Sequence, residues 1–188
     1  MEFLYTVDQN ADEPIMTLFG EIDGDEAEQG VNSDRFCREL MFLDTQNKSR
    51  INIWINSGGG SVVGGAQIFN TILKTKTKID THNVGMAASI AGPIFLAGRN
   101  RYMMDNAVFM MHPVSGGDDK AREVFEGSVN TMLASRSFLN AEKIKKMMSE
   151  TTWLNAEDCE KVYGLCEVEY AATKNIPRKR PDTAAPKE

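Results

Sequence analysis

The apolar residues of the chain fall into short runs that predict β-strands. In RINIWIN, Ile51, Ile53 and Ile55 alternate with other residues, which is the two-residue period of a strand with one buried face. The strands predicted in this way are 14–22, 50–56, 78–84, 107–112 and 165–170. Most of them are followed by a stretch with the period of a helix.

Helices are predicted between these strands. In SDRFCRELMFLDTQ, Phe36, Leu40 and Leu43 recur at helical spacing, and Ser33 or Asp34 can cap the first turn. The predicted helices are 33–46, 62–75, a small-residue helix that begins near Ser89, 118–150 as one long helix or two stacked ones, and 155–164.

This alternation of strands and helices predicts an α/β protein with a largely parallel sheet. A chain of 188 residues suits one hydrophobic core. We expect one domain at 1–172 and a flexible polar tail at 173–188, which contains the basic run PRKRP. In such sheets, sites gather where strands end and helices begin, because backbone amides are left unpaired there.

The charge balance narrows the classes of function. The net charge is −6, whereas a general nucleic-acid binder depends on clustered Lys and Arg. No stretch of the sequence approaches the ~20 apolar residues of a membrane span. The N-terminal MEFLYTVDQNADE lacks the basic and apolar regions of a signal peptide. We therefore expect a cytoplasmic protein without a nucleic-acid or membrane partner.

Residues that bind metals or form disulfides are few. Cys37, Cys159 and Cys166 include no CxxC pair, so we expect reduced, packed thiols rather than a disulfide framework or a zinc site. With His82 and His112 as the only histidines, a histidine-rich metal centre is not expected either. No metal and no cofactor is predicted.

A glycine-rich loop, INSGGGSVVGG, joins the strand at 50–56 to the next helix. Its glycines allow positive φ and a close approach to a ligand, and the helix N-terminus adds partial positive charge. A tight turn, a phosphate cradle and an oxyanion hole are three uses of such a loop. The phosphate cradle is disfavoured because the loop lacks the Lys of a Walker motif and the spacing of GxGxxG.

Ser89 is the single hydroxyl in the small-residue stretch HNVGMAASIAG. As a nucleophile it needs a base within hydrogen-bond reach; otherwise it is a small residue bonded to a nearby carbonyl. His82 lies on the same predicted strand, roughly 20 Å away if the chain is extended, and is expected at the surface. His112 ends the neighbouring predicted strand, so a parallel sheet would bring it to the same edge as Ser89.

Four motifs, INSGGGSV, GMAASI, FMMHPV and TWLNAEDCEKVYGL, resemble in their order the proteolytic subunit of the Clp protease, the ClpP family. The resemblance spans roughly 14–169. It implies a serine endopeptidase on the ClpP/crotonase-like spiral of ββα units, with a hydrophobic substrate cleft. By position, Ser89 matches the nucleophile and His112 the general base. Gly60 and Ile90 match the residues whose backbone N–H groups form the oxyanion hole.

One member of the family's triad has no match. Thr151, two residues before Trp153, stands where the family has the Asp, and Glu150 is one position earlier. The acid normally holds the histidine tautomer and stabilises imidazolium. Thr151 as a possible third member, Glu150 in its place, and a Ser–His dyad are therefore all open.

The segment between His112 and Thr151 and the N-terminal portion are shorter than in ClpP. In the family these parts stack the rings and meet an AAA+ unfoldase, so that partner is open for this chain. Short chains of this type resemble the ClpP-like head maturation proteases of tailed phages and prophages. The resemblance implies protein or peptide substrates and a homo-oligomeric ring, a heptamer or double heptamer, in a bacterial host cytoplasm or a phage procapsid.

Two other functions compete with peptide hydrolysis. A crotonase-type acyl-CoA enzyme holds a thioester enolate with a similar pair of backbone amides, but it typically relies on carboxylates and needs no nucleophilic Ser. A catalytically silent, structural relative of ClpP is favoured by Thr151, because the acid is missing there.

Overall fold

The protein is described by a computed structural model that covers residues 2–24 and 30–170. In these residues the strands are β1 (Thr6–Val7), β2 (Ile15–Phe19), β3 (Arg50–Ser57), β4 (Lys78–Ala88), β5 (Asn100–Met104), β6 (Val108–Met111), β7 (Thr152–Asn155) and β8 (Glu167–Glu169). The helices are α1 (Ser33–Asp44), α2 (Val62–Lys74), α3 (Ala91–Ala97), α4 (Asp119–Arg136), α5 (Ala141–Ser149) and a π-helix (Asp158–Val162).

The strands form a mixed sheet with the order β1-β2-β3-β4-β5-β8. The pairs from β2 to β5 and from β5 to β8 are parallel, and β1 is antiparallel to β2. Beyond Asn83, β4 leaves β5 and pairs in parallel with β6, which is antiparallel to β7. The predicted α/β class with a largely parallel sheet is confirmed.

The core forms where the apolar stripes of the helices meet the sheet. Ile51, Ile53 and Ile55 of β3 are fully buried, as the alternation predicts, whereas Trp54 between them is 39% exposed. Each such buried side chain contributes about 1.5–3 kcal/mol of hydrophobic stabilisation. Every residue of α3 is buried, so this short helix, which follows β4 in the chain, lies in the interior of the protein.

Helix α1 begins at Ser33 and has a different cap from the predicted one. The Asn32 backbone is extended and its side chain accepts a hydrogen bond from Arg35 N at 2.9 Å, so Asn32 is the cap rather than Ser33 or Asp34. Ser33 instead bonds through its N–H and hydroxyl to Asp23, at 2.8 Å and 2.6 Å. Ser33 is therefore the first residue of the helix, and its side chain is bonded to Asp23 instead of capping the helix.

Other boundaries also differ from the prediction. The helix predicted at 155–164 contains a π-helix over Asp158–Val162, whereas the stretch at 118–150 forms two helices, α4 and α5, which is one of the two predicted alternatives. The strands β5 and β7 were not predicted. The helix expected near Ser89 begins at Ala91, because β4 stays paired with β6 as far as Ala88.

The cysteines are free thiols, with Cys37 and Cys159 buried and Cys166 half-buried. Burial raises the pKa of the Cys37 thiol, which keeps it in its unreactive protonated form. Among the described residues, no helix has both the length and the apolarity to cross a bilayer. The predicted tail at 173–188 lies outside the described residues, and the boundary at 172 stays a prediction.

Candidate active site

Ser89 occupies the turn between β4 and α3. Its φ is 54°, in the left-handed region that few residues other than glycine adopt. Its N–H donates to the Met110 carbonyl at 2.8 Å, and its own carbonyl accepts from Gly92 N at 3.0 Å. A backbone conformation of this kind costs about 1–3 kcal/mol and persists only where its surroundings impose it. These contacts therefore fix the Ser89 side chain at the carboxyl end of β4.

His112 reaches Ser89 from the neighbouring strand. β6 pairs in parallel with β4, with Met110 opposite Ala88, and His112 follows the last residue of β6. Ser89 Oγ and His112 Nε2 lie 2.9 Å apart. When the Ser89 hydroxyl donates, Nε2 is the unprotonated ring nitrogen and the ring proton is on Nδ1. Through this contact a histidine can take a proton from a serine.

The glycine loop after β3 is held by two hydrogen bonds to Ile22. The Ile22 N–H donates to the Gly59 carbonyl at 2.8 Å, and the Ser61 N–H donates to the Ile22 carbonyl at 2.9 Å. Gly60 lies between these bonds with a φ of 136°, and a Cβ there would collide with the Ile22 backbone. Only glycine fits this position, so the Gly60 amide has a defined direction.

Two backbone N–H groups beside Ser89 have no acceptor in the described part of the chain, those of Gly60 and Ile90. The loop touches the Ser89 turn, because a Cβ at Gly59 would lie 2.7 Å from Ser89 Cβ and 3.2 Å from Ile90 N. Unpaired amide donors next to a nucleophile are what an oxyanion hole requires. The structure thus brings Ser89, His112, Gly60 and Ile90 together; their catalytic roles stay predictions.

The small cleft in front of Ser89 and His112 is lined mostly by uncharged side chains. Its other lining residues are Gly60, Val62, Ile90, Met111, Val114, Ser115, Val129 and Met148. None of these carries a charge, and the hydroxyl of Ser115 is the one polar side chain that they add. A cleft without charged side chains beside these polar groups fits an uncharged substrate side chain, because a buried charge there would have no partner.

The strand register brings Thr151 near His112. β7 is antiparallel to β6 with Thr152 opposite Met111, so His112 and Thr151 are the next positions in the same register. Thr151 is exposed and has a φ of 50°. Glu150 lies with its carboxylate 4.0 Å from Lys146 Nζ. Within the described residues His112 Nδ1 has no hydrogen-bond acceptor, and the role of Thr151 stays a prediction.

His82 lies apart from the Ser89 pair and is less exposed than predicted. Its ring stacks on Tyr102 with centroids 5.0 Å apart, and its side chain is 17% exposed. The ring nitrogens lie 3.5 Å from Glu169 Oε2 and 3.2 Å from Asn52 Oδ1. Cross-strand packing on β4 covers the ring, which the strand pattern alone did not indicate.

Sequence reasoning missed two groups that shape the site. The Ile22 backbone holds the glycine loop, and the Met110 carbonyl holds Ser89 N. Both act through main-chain atoms, so the type of side chain carries no signal for them. Only the positions of neighbouring strands could have identified them.

These elements define a ClpP-type α/β fold with a Ser–His pair at the end of a parallel strand. The fold is shared with the solved structure of a ClpP1 mutant from Listeria monocytogenes, with a TM-score of 0.73. The two are 24% identical, and the match covers 84% of this chain and 92% of that one. A family model described as Clp protease matches residues 5–168. The chain belongs to the Clp protease family.

Proposed function

We propose that this protein is a serine endopeptidase in which Ser89 is the nucleophile and His112 the general base. The observation that carries the proposal is the 2.9 Å contact between Ser89 Oγ and His112 Nε2. Membership of the Clp protease family supports the same reaction class. A crotonase-type acyl-CoA reaction has no comparable support, because it would leave this contact without a use.

In the proposed reaction, Ser89 Oγ attacks the peptide carbonyl while His112 Nε2 takes the hydroxyl proton. The oxyanion of the tetrahedral intermediate accepts hydrogen bonds from the amides of Gly60 and Ile90. His112 then gives its proton to the leaving amine, which leaves an acyl ester on Ser89. A water molecule, deprotonated by His112, hydrolyses this ester and restores both side chains.

We propose that the pair works without a carboxylate partner. Within the described residues no acid bonds to His112 Nδ1, and the acid that precedes Thr151, Glu150, lies beside Lys146. Loss of the acid in a complete triad costs about 10⁴ in rate, mainly through the wrong histidine tautomer. A slow, selective peptidase is consistent with this arrangement, and so is a catalytically silent relative.

The setting that we propose is the maturation of capsid or scaffold proteins in a tailed phage or prophage. The shortened segment between His112 and Thr151 supports it, because a reduced ring-stacking region suits a peptidase that works apart from a degradation machine. Members of the family typically form rings and act on proteins. We therefore propose a homo-oligomeric ring in the host cytoplasm or procapsid.

A fluorophosphonate probe tests the reaction. Wild-type protein should form a covalent adduct on Ser89, found by peptide mass spectrometry, and should cleave casein or a scaffold protein. Ser89→Ala and His112→Ala should abolish both. Ser115→Ala is the matched control, since this serine lines the same cleft and should be dispensable. An assembled wild type that neither labels nor cleaves would establish the silent relative instead.

A further inference from the structure

A buried asparagine lies where β4 changes its partner. The pairing of β4 with β5 ends at Asn83 opposite Met103, and its pairing with β6 begins at Met86 opposite Val108. The Asn83 side chain is fully buried on the core side of the sheet. A polar amide in such a place is costly unless all its groups are bonded.

Both ends of the Asn83 amide make hydrogen bonds. Nδ2 donates to the Val108 carbonyl at 2.9 Å, and Oδ1 accepts from Gly85 N at 3.3 Å. The first bond reaches the opening residue of β6, and the second holds the backbone of β4 between its two pairings. The side chain thus joins the two strands at the point where they start to run together.

The strand that begins at Val108 also carries the base. Four residues after Val108 comes His112, and between them the Met110 carbonyl accepts the hydrogen bond from Ser89 N at 2.8 Å. A shift of β6 along β4 would move both of these contacts together. The 2.9 Å distance between Ser89 and His112 therefore depends on where β6 starts.

We propose that Asn83 is a positioning residue for the Ser89–His112 pair. Asn83 contacts neither the substrate nor the reacting atoms. It acts by fixing the register of Val108, the first residue of β6, relative to β4. The inference rests on the proposed peptidase function, because it concerns the geometry of that pair. A misplacement of about 1 Å in reacting groups can lower a rate by on the order of 10²-fold.

The test compares two buried polar residues of the same strand and face. Asn83→Leu removes both hydrogen bonds in a side chain of similar size. Thr81→Val is the matched control, because Thr81 is also fully buried and donates through its hydroxyl to the Phe95 carbonyl at 2.6 Å. Asn83→Ser is a milder variant that keeps a hydroxyl but is shorter than the amide, and it carries the test if Asn83→Leu does not fold.

The measurement is the time course of fluorophosphonate labelling. An irreversibly misfolded fraction lowers the final extent of labelling, and a reversibly unfolded fraction is measured separately by urea titration and divided out of the rate constant. A mispositioned pair labels fully but slowly. We expect the Asn83 variants to reach full labelling with a rate constant lower by about tenfold to a hundredfold, and Thr81→Val to keep the wild-type rate constant.

The outcomes separate this inference from the function it rests on. If the wild type labels at Ser89 and the folded Asn83 variants label at the same rate, the positioning role is wrong and the peptidase stands. An equal fall for Thr81→Val would also overturn it, since any lost buried hydrogen bond would then suffice. If the wild type fails to label, both proposals fall together.

Discussion

His112 and Thr151 are neighbours by strand register, one step beyond the pairing of Met111 with Thr152. Thr151 has a short, uncharged side chain at the position where the family resemblance predicts the carboxylate that steadies the imidazole. Thr151→Asp should therefore raise activity, because a carboxylate there can accept from Nδ1–H and stabilise the imidazolium. We expect kcat for casein or a peptide substrate to increase by at least about tenfold, within the range that such an acid provides.

The control for this prediction is Glu150→Gln. It removes the acid that precedes Thr151 and lies beside Lys146, and it should leave turnover close to the wild-type value. If Glu150→Gln abolishes activity, Glu150 moves to His112 during the reaction and the dyad is wrong. Thr151→Val gives the third comparison: a marked loss of turnover would make the threonine hydroxyl the partner of His112.

The sequence motifs predicted which residues meet at the site better than they predicted the backbone conformation there. Ser89 and His112 were recognisable because a parallel sheet brings consecutive strand ends to one edge, and the structure puts them 2.9 Å apart. The end of β4 was not predicted, because GMAA lacks the branched residues that mark a strand and is held as one by its pairing with β6. The left-handed φ of Ser89 follows from this pairing and has no local sequence signal.

Contacts between distant segments account for the rest of what was missed. The sequence pattern shows Asn83 only as a polar residue within a strand. The Val108 carbonyl, which accepts its hydrogen bond, lies in a different strand later in the chain. The same holds for the Ile22 backbone, which fixes the glycine loop. Main-chain and buried amide contacts of this kind depend on the tertiary fold, so residue type and spacing do not reveal them.

The glycine loop allows a sharp comparison between adjacent positions. Gly60→Ala should inactivate the protein, because φ there is 136° and a Cβ would collide with the Ile22 backbone, which displaces the amide donor. Loss of one oxyanion donor lowers kcat by about 10²–10³. Gly58→Ala is the control, since its Cβ would meet only the Met86 methyl at 3.7 Å and its φ is not positive. Equal effects at both positions would argue against the oxyanion role.

Protonation of Asp44 should lower the free energy of unfolding at acid pH. Its carboxylate accepts hydrogen bonds from the backbone N–H groups of Lys76 and Thr77 and from the Thr77 hydroxyl. Partial burial acts to raise the pKa of Asp44, but the bonds from Thr77 and Lys76 outweigh it and hold the pKa below its usual value. The folded state thus favours the ionised form. Its stabilisation is present above the unfolded-state pKa and is lost as pH falls through the lower folded-state pKa.

Urea unfolding of Asp44→Asn at one protein concentration checks this pH dependence. We expect the variant to be less stable than wild type by about 0.5–1 kcal/mol near neutral pH, because solvent screens this partly exposed carboxylate and Asn keeps one acceptor oxygen. The difference should shrink as the pH is lowered below about 4, where aspartate in the unfolded chain takes up its proton. A difference that stays constant into strong acid would show that Asp44 acts through packing rather than charge.

The uncharged lining of the cleft predicts which peptides are cut. Since its lining residues carry no charge, fluorogenic peptides with an apolar residue before the scissile bond should be cleaved at least about tenfold faster than those with Lys there. Val114→Glu places an acid in the cleft and should reduce or reverse this preference in kcat/KM. Val124→Glu is the control, because Val124 is 55% exposed on α4 and does not line the cleft. An unchanged preference in Val114→Glu would mean that the substrate side chain binds elsewhere.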